Sequence, residues 1–218
     1  MTLTTHPTPT AESADAAWPV LPALSASASQ QVFRACLGAL SRPGSLQRLP
    51  ADELPAGVPA AALVPLALTD LMAPLAGLGR AAGLARRIAT ATGAQYVEPE
   101  QARFAVALDD DHEELSGLPV GSTWSPEFGA LLSQRVEALR QAQGAALRQA
   151  QGAEAIELTL SGPGIKGTTM ITVAGLSRDF FAARADLTAA FPTGIDLVLI
   201  TDYRTMIGIP RTTRIEVG

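Results

Sequence analysis

The apolar run at positions 195–200, broken only by Asp196, constrains the fold more than any other feature of the sequence. Such a run is typical of a β-strand covered on both faces, because a strand with one face in water alternates apolar and polar residues. Alternating stretches at 156–160 and 168–173 flank Gly162-Pro163-Gly164 and predict an antiparallel pair around a tight turn. We predict further strands at 45–49, 104–108, 205–209 and 213–217.

Helical patterns are interleaved with these strands. From Ser29 apolar residues recur at helical spacing, after a serine cap and before the stop signal Ser41-Arg42-Pro43-Gly44. We predict three more helices, at 59–69, at 80–92 with Gly93 as its end, and at 177–190 with Ser177 as its cap. Strands interleaved with helices predict a layered α/β domain.

The domain organisation follows from length and composition. A chain of 218 residues with 47% apolar content can bury the core of one ordinary domain. Residues 1–24 are rich in Thr, Pro, Ala and Ser and lack apolar periodicity, so we expect a flexible arm followed by one domain at 25–218.

The segment 138–145 is repeated without change at 146–153. Eight residues is far below the period of a stacked structural repeat, so we interpret the repeat as a local duplication that lengthens a surface connection. Propensity alone predicts a helix over 128–151.

Charge and cysteine content limit the partners and the compartment. The net charge of -5 lacks the basic excess that nucleic acid or an anionic membrane surface would require. No apolar stretch is long enough to cross a bilayer, and the N-terminus lacks a charged segment followed by an apolar one. With Cys36 as the single cysteine, these features predict a cytoplasmic protein.

The sequence contains no complete catalytic motif. The acidic run 109–114, which includes His112, lacks the spacing of a calcium loop and is interpreted as a solvated turn. Cys36 lies on the apolar stripe of the first helix, so a buried and inert thiol is favoured over a nucleophile. Lys166 permits a Schiff-base hypothesis, but an exposed turn lysine is favoured.

Two segments have two interpretations each. Arg211, Thr212 and Thr213 follow Pro210 at the end of a strand and could bind phosphate or carboxylate oxygens. Alternatively Arg211 pairs with a carboxylate such as Asp196 or Glu216, and we leave both readings open. Gly162-Pro163-Gly164 could form an anion-binding nest, although a hairpin turn is favoured.

Several segments resemble signature segments of the PhnH family of phosphonate-metabolism proteins, in matching order and spacing, from about residue 29 to the C-terminus. They are Leu160-Ser161-Gly162-Pro163-Gly164-Ile165, then Phe191-Pro192-Thr193-Gly194-Ile195-Asp196, then Ile209-Pro210-Arg211-Thr212-Thr213-Arg214, with Phe33-Arg34 and Ser41-Arg42-Pro43-Gly44 near the N-terminus. The resemblance implies a strand at about 129–138 in place of the propensity-based helix, and we adopt that strand. It also implies a three-layer α/β/α sandwich similar to the large domain of pyridoxal-phosphate transferases, without the cofactor.

The resemblance further implies a homodimer that joins PhnG, PhnI and PhnJ in the carbon–phosphorus lyase core complex. With PhnL, that complex makes α-D-ribose 1-methylphosphonate 5-triphosphate from ATP and methylphosphonate and releases adenine. We expect a required subunit that is not catalytic alone. The alternatives are a subunit that binds phosphonate or nucleotide through Arg211, Thr212 and Thr213, and an independent pyridoxal-phosphate enzyme built on Lys166.

Overall fold

The structure is a computed structural model that describes residues 18–50, 54–141 and 155–218. Four helices and ten strands follow one another along these residues: α1 (Ala26–Ser41), β1 (Gln47–Arg48), α2 (Leu63–Leu68), β2 (Leu75–Gly77), α3 (Ala82–Thr92), β3 (Phe104–Ala107), β4 (Leu131–Val136), β5 (Ala138–Gln141), β6 (Ala155–Ser161), β7 (Thr168–Ala174), α4 (Arg178–Thr188), β8 (Asp196–Thr201), β9 (Thr205–Ile209) and β10 (Arg214–Val217). The mixed α/β class predicted from the sequence is confirmed.

The strands form two sheets. Six strands make the larger sheet in the order β1-β9-β8-β4-β3-β2. In it β2, β3, β4 and β8 run parallel, β9 pairs with β8 antiparallel, and β1 pairs with β9 antiparallel. The other four make an antiparallel sheet in the order β10-β6-β7-β5. The parallel part requires long crossover connections: α3 lies between β2 and β3 along the chain, and β5, β6, β7 and α4 lie between β4 and β8.

Strand β8 lies at the centre and is covered on both faces, as its apolar run predicted. Leu197 and Leu199 face a core shared with the smaller sheet and with α4. Val198 and Ile200 face the opposite core, which α1 enters with Val32 and other residues. Successive side chains of a strand point to opposite faces, so one apolar run contributes to two cores.

Most predicted elements are confirmed with shifted ends. Helix α1 begins three residues earlier than predicted, with Ser25 as its cap: its Oγ accepts from the Ala28 backbone N–H at 3.2 Å. Helix α3 ends at Gly93, which has a left-handed φ of 75°; glycine adopts this conformation without strain because it has no side chain. The helix predicted at 59–69 divides into a 3₁₀ turn, Ala60–Ala62, and α2.

The helix that propensity predicts over 128–151 is wrong wherever the structure describes this segment. β4 and β5 occupy it instead, and the strand taken from the family resemblance is confirmed. Tertiary pairing overrides propensity here, because β4 lies between β3 and β8 and buries Leu132 and Val136. Residues 142–153 of the duplication lie outside the described residues.

The last residues of the predicted arm pack on the domain. Leu21 is buried, and Trp18 and Leu24 contact the same apolar cluster, which also includes α3. Residues 1–17 lie outside the described residues, so the flexibility of the arm stays a prediction. No described helix has the length and apolarity needed to cross a membrane.

Candidate functional site

The side chain of Arg211 is held by protein groups. The antiparallel register of β8 and β9 pairs Leu197 with Ile209 and so brings Asp196 beside Arg211. Arg211 donates to Asp196 from Nε at 3.2 Å, from Nη2 at 2.6 Å and from its backbone N–H at 2.8 Å. Nη1 donates to the Pro126 carbonyl oxygen. Of the two carboxylates that the sequence allowed as structural partners, the structure selects Asp196.

Two glycines make room for this arginine. A Cβ at Gly129 would collide with the Gly194 carbonyl oxygen and would approach Arg211 Nη1 to 2.5 Å. Gly194 has a φ of 143°, and a Cβ there would meet Thr188 at 2.9 Å. The Phe191-Pro192-Thr193-Gly194-Ile195-Asp196 segment therefore supplies both the carboxylate partner of Arg211 and the space for it.

Gly162-Pro163-Gly164 forms a hairpin turn, as favoured from the sequence: the Ile165 N–H donates to the Gly162 carbonyl at 3.1 Å. A Cβ at Gly164 would collide with the Ser41 carbonyl and lie 2.9 Å from Pro43, while one at Gly162 would lie 2.8 Å from the Thr212 carbonyl. The turn is thus packed between the end of α1 and the segment after β9.

Gly44 packs in the same region. It has a φ of 80°, and a Cβ there would approach Thr169 to 2.6 Å and Leu160 to 3.2 Å. Arg42 and Pro43 precede it at the end of α1. We call the meeting place of residues 41–44, 162–164, 191–196 and 209–213 the motif joint, because segments from both sheets and from α1 meet there.

Arg184 is the functional candidate that sequence reasoning missed. It lies on α4, is only 2% exposed, and donates from Nη2 to the Pro210 carbonyl at 2.8 Å and from Nη1 to the Thr213 carbonyl at 3.4 Å. Its Nε has no hydrogen-bond partner among the described residues. Burial lowers the pKa of Arg184 to about 10, against the opposing effect of the Asp196 charge, so it stays protonated at neutral pH. The sequence signal that could have identified Arg184 as buried is its position four residues after Phe180, on the same stripe of the helix.

A cleft of about 410 Å³ borders the motif joint. We call it the arginine cleft; it is lined by Arg184, Ala185, Thr188, Ala189, Phe191, Arg211, Thr212, Thr213, Arg214 and Ile215. All three predicted binding residues, Arg211, Thr212 and Thr213, therefore line one cavity. Their binding of substrate stays a prediction.

A second cleft, of about 400 Å³, lies where the carboxyl ends of β3, β4 and β8 meet. Ligands of open α/β sheets commonly bind at such an edge. Two of its arginines are already paired: Arg80 with Asp109 at 2.6 Å, and Arg135 with Asp202 at 2.7 Å. The third arginine lining it is Arg204.

The remaining candidates lie apart from the arginine cleft. Cys36 is buried, and desolvation raises the pKa of its thiol to about 11, which agrees with the inert thiol predicted. Lys166 is exposed on the hairpin between β6 and β7. His112 contacts Asp110 through Nδ1 at 3.1 Å, and that hydrogen bond raises the pKa of the imidazole. In the described part of the chain, no three His, Cys, Asp or Glu side chains form a group that could hold a metal ion.

Comparison with known proteins agrees with the motif segments. The family described as bacterial phosphonate metabolism protein (PhnH) matches residues 23–216. A putative C-P lyase subunit protein, HtxG, from Stutzerimonas stutzeri is 31% identical over 205 residues, which cover 93% of this chain and 92% of that protein. Subunit PhnH of α-D-ribose 1-methylphosphonate 5-triphosphate synthase from Rhizobium meliloti (strain 1021) is 32% identical over 200 residues, which cover 86% and 90%. The chain belongs to the PhnH family of bacterial phosphonate metabolism proteins.

Proposed function

We propose that this chain is a subunit of a carbon–phosphorus lyase complex, and that it supports the formation of α-D-ribose 1-methylphosphonate 5-triphosphate from ATP and methylphosphonate with release of adenine. The observation that carries the proposal is the family match over residues 23–216, joined by two relatives whose names describe such subunits. The partners proposed from the family are PhnG, PhnI and PhnJ, together with PhnL.

The geometry of the motif joint supports a role for this chain in assembly of the complex. Arg211 uses its guanidinium on Asp196 and Pro126, and the motif glycines serve close packing of backbone segments. Among the described residues of the motif joint, Arg211 and Asp196 are occupied with each other. We infer that the chain contributes a rigid surface and not a self-sufficient active site.

Co-purification tests this role. The chain is expressed with tagged PhnI alongside PhnG and PhnJ from the same organism, and the retained material is resolved by size. Recovery of this chain in one species with the other three supports the proposal. Its absence from that species, while the other three still associate, contradicts it.

A second candidate function is contact with phosphonate or nucleotide through Arg211, Thr212 and Thr213. It is favoured by one observation, that all three line the arginine cleft. Calorimetry with ATP and with methylphosphonate, on the wild type and on Arg211→Ala, tests it. Absence of binding in both proteins contradicts it.

We include in the same proposal the compartment, the oligomeric state and the detailed fold that the family resemblance implies. We propose a cytoplasmic homodimer with one domain at 25–218 preceded by an arm, and a sandwich similar to the large domain of pyridoxal-phosphate transferases that does not use the cofactor. Exposed apolar side chains on one face of α1, Phe33 and Leu37, support a covered surface there. Light scattering at micromolar concentration tests the dimer, and a colourless protein after incubation with pyridoxal phosphate is expected.

A further inference from the structure

The arginine cleft has more positive than negative charge around it. Arg184, Arg211 and Arg214 line it, and its lining includes no Asp or Glu. The one described ion pair at the edge of the cleft joins Arg211 to Asp196, whose carboxylate accepts from two nitrogens of the Arg211 guanidinium. The buried charge of Arg184 has backbone carbonyls as its hydrogen-bond partners in the described chain. A buried cation without its own carboxylate is costly unless an anion compensates it.

Unused hydrogen-bond donors accompany this charge. Thr213 is 3% exposed, lines the same cleft, and its Oγ1 has no partner among the described residues. The Nε of Arg184 is also buried without a partner there. Buried donors of this kind are uncommon in folded proteins and call for an explanation such as a bound ion. Arg214 is exposed, lines the cleft and adds a third guanidinium.

We propose that the arginine cleft binds an oxyanion of the phosphoryl class, the tetrahedral group shared by phosphates and phosphonates, through Arg184, Thr213 and Arg214. This extends the second candidate function and rests on it only for the location of the cleft. Arg211 has a different role, because its guanidinium is held by Asp196, while the buried Arg184 contributes positive charge to the lining. Arg184 was not a candidate from the sequence, and Arg214 was part of the Ile209–Arg214 segment but was not among the predicted binding residues.

The donor set favours a phosphoryl group over a single carboxylate. A phosphoryl group offers three oxygens and up to two negative charges, and guanidinium groups bind it through paired N–H donors. Two arginines whose charges lack a dedicated carboxylate match that charge. The cleft volume of about 410 Å³ leaves room for an organic substituent beyond the oxyanion itself. Glu127 lines the adjoining apolar cleft with Phe191 and Pro192, and is not part of the arginine cleft.

Calorimetry on the full chain tests the proposal with inorganic phosphate, methylphosphonate, ribose 5-phosphate and acetate at low ionic strength. We expect binding of at least one phosphoryl-class probe and at least tenfold weaker binding of acetate. The first three probes distinguish a free phosphate, a phosphonate and a phosphate ester as the source of the group. Failure of all three to bind with a Kd below about 10 mM, or acetate binding as tightly as they do, would overturn the proposal.

Thr213→Val gives the sharpest variant. Removing a buried hydroxyl that lacks a partner should leave the melting temperature unchanged or raise it, yet the affinity for the anion should fall about tenfold, because a hydrogen bond to a charged group is lost. Thr172→Val is the matched control: its Oγ1 is likewise buried without a described partner, but Thr172 lies on β7 and does not line the cleft. The control should bind like the wild type. Equal affinity of Thr213→Val and the wild type would count against the proposal.

A second pair of variants tests the charge. Arg214→Gln should weaken binding about tenfold, whereas Arg34→Gln, at an exposed arginine of α1, should change it less than twofold. Equal effects of the two variants would show general attraction to positive charge and would refute a built site. The binding assays use the isolated chain, so they can fail while co-purification succeeds, or succeed while co-purification fails.

Discussion

Replacing Arg211 by alanine should destabilise the fold strongly, because the substitution removes one partner of a largely buried ion pair. The side chains of Arg211 and Asp196 are 12% and 24% exposed. Removing one partner of such a pair leaves the other charge buried and costs about 3 kcal/mol. For a domain of this size, about 3 kcal/mol corresponds to a fall in melting temperature of about 6–12 °C. Thermal and urea unfolding of the purified variant measure both quantities.

Arg80→Ala is the matched control for this prediction. Arg80 also pairs with an aspartate, Asp109, but the two side chains are 62% and 44% exposed. Solvent screens such a pair, so its loss should cost no more than about 1 kcal/mol. A melting temperature of Arg211→Ala equal to that of the wild type would refute the reasoning and would indicate that Arg211 serves a ligand. An equal fall for both variants would show that burial does not decide the cost.

Three further predictions concern positions away from the motif joint. Lys166→Ala should change the free energy of unfolding by no more than about 0.5 kcal/mol and leave complex activity intact, because the lysine is exposed on a hairpin. Greater damage from Lys166→Ala than from Arg211→Ala would contradict this prediction. Deleting residues 138–145 should leave the melting temperature nearly unchanged, because the second copy restores the sequence of β5; a large fall would show that both copies are needed for packing. NMR titration should place the pKa of His112 above its ordinary value and Asp110→Asn should lower it; the pair stabilises the fold at low pH, and this contribution is lost as the pH rises through the folded-state pKa.

The core strands were predictable because burial leaves a strong pattern in the sequence. The run that became β8 is apolar on both faces, and β6 and β7 alternate on either side of a glycine-rich segment that favours a turn. β2 was not predicted, since three residues are too few to show a period. β4 and β5 contain good helix formers, and only their pairing with neighbouring strands makes them extended.

The candidate site was predictable in part. The sequence offered Asp196 and Glu216 as partners of Arg211, and only the register of β8 and β9 distinguishes them, because a period-2 pattern carries no information about which residues of two strands meet. Arg184 was missed because its burial depends on a segment that is distant in sequence. Its guanidinium donates to the carbonyls of Pro210 and Thr213, and the sequence does not show that these lie beside α4.

The release of adenine from ATP and methylphosphonate tests the central claim most directly. PhnG, PhnI, PhnJ and PhnL from the same organism are assayed with this chain and without it, and the chain is also assayed alone. The account predicts adenine release in the complete mixture, little or none when this chain is omitted, and none from the chain by itself. Undiminished release without the chain, or robust release by the isolated chain, would contradict the account.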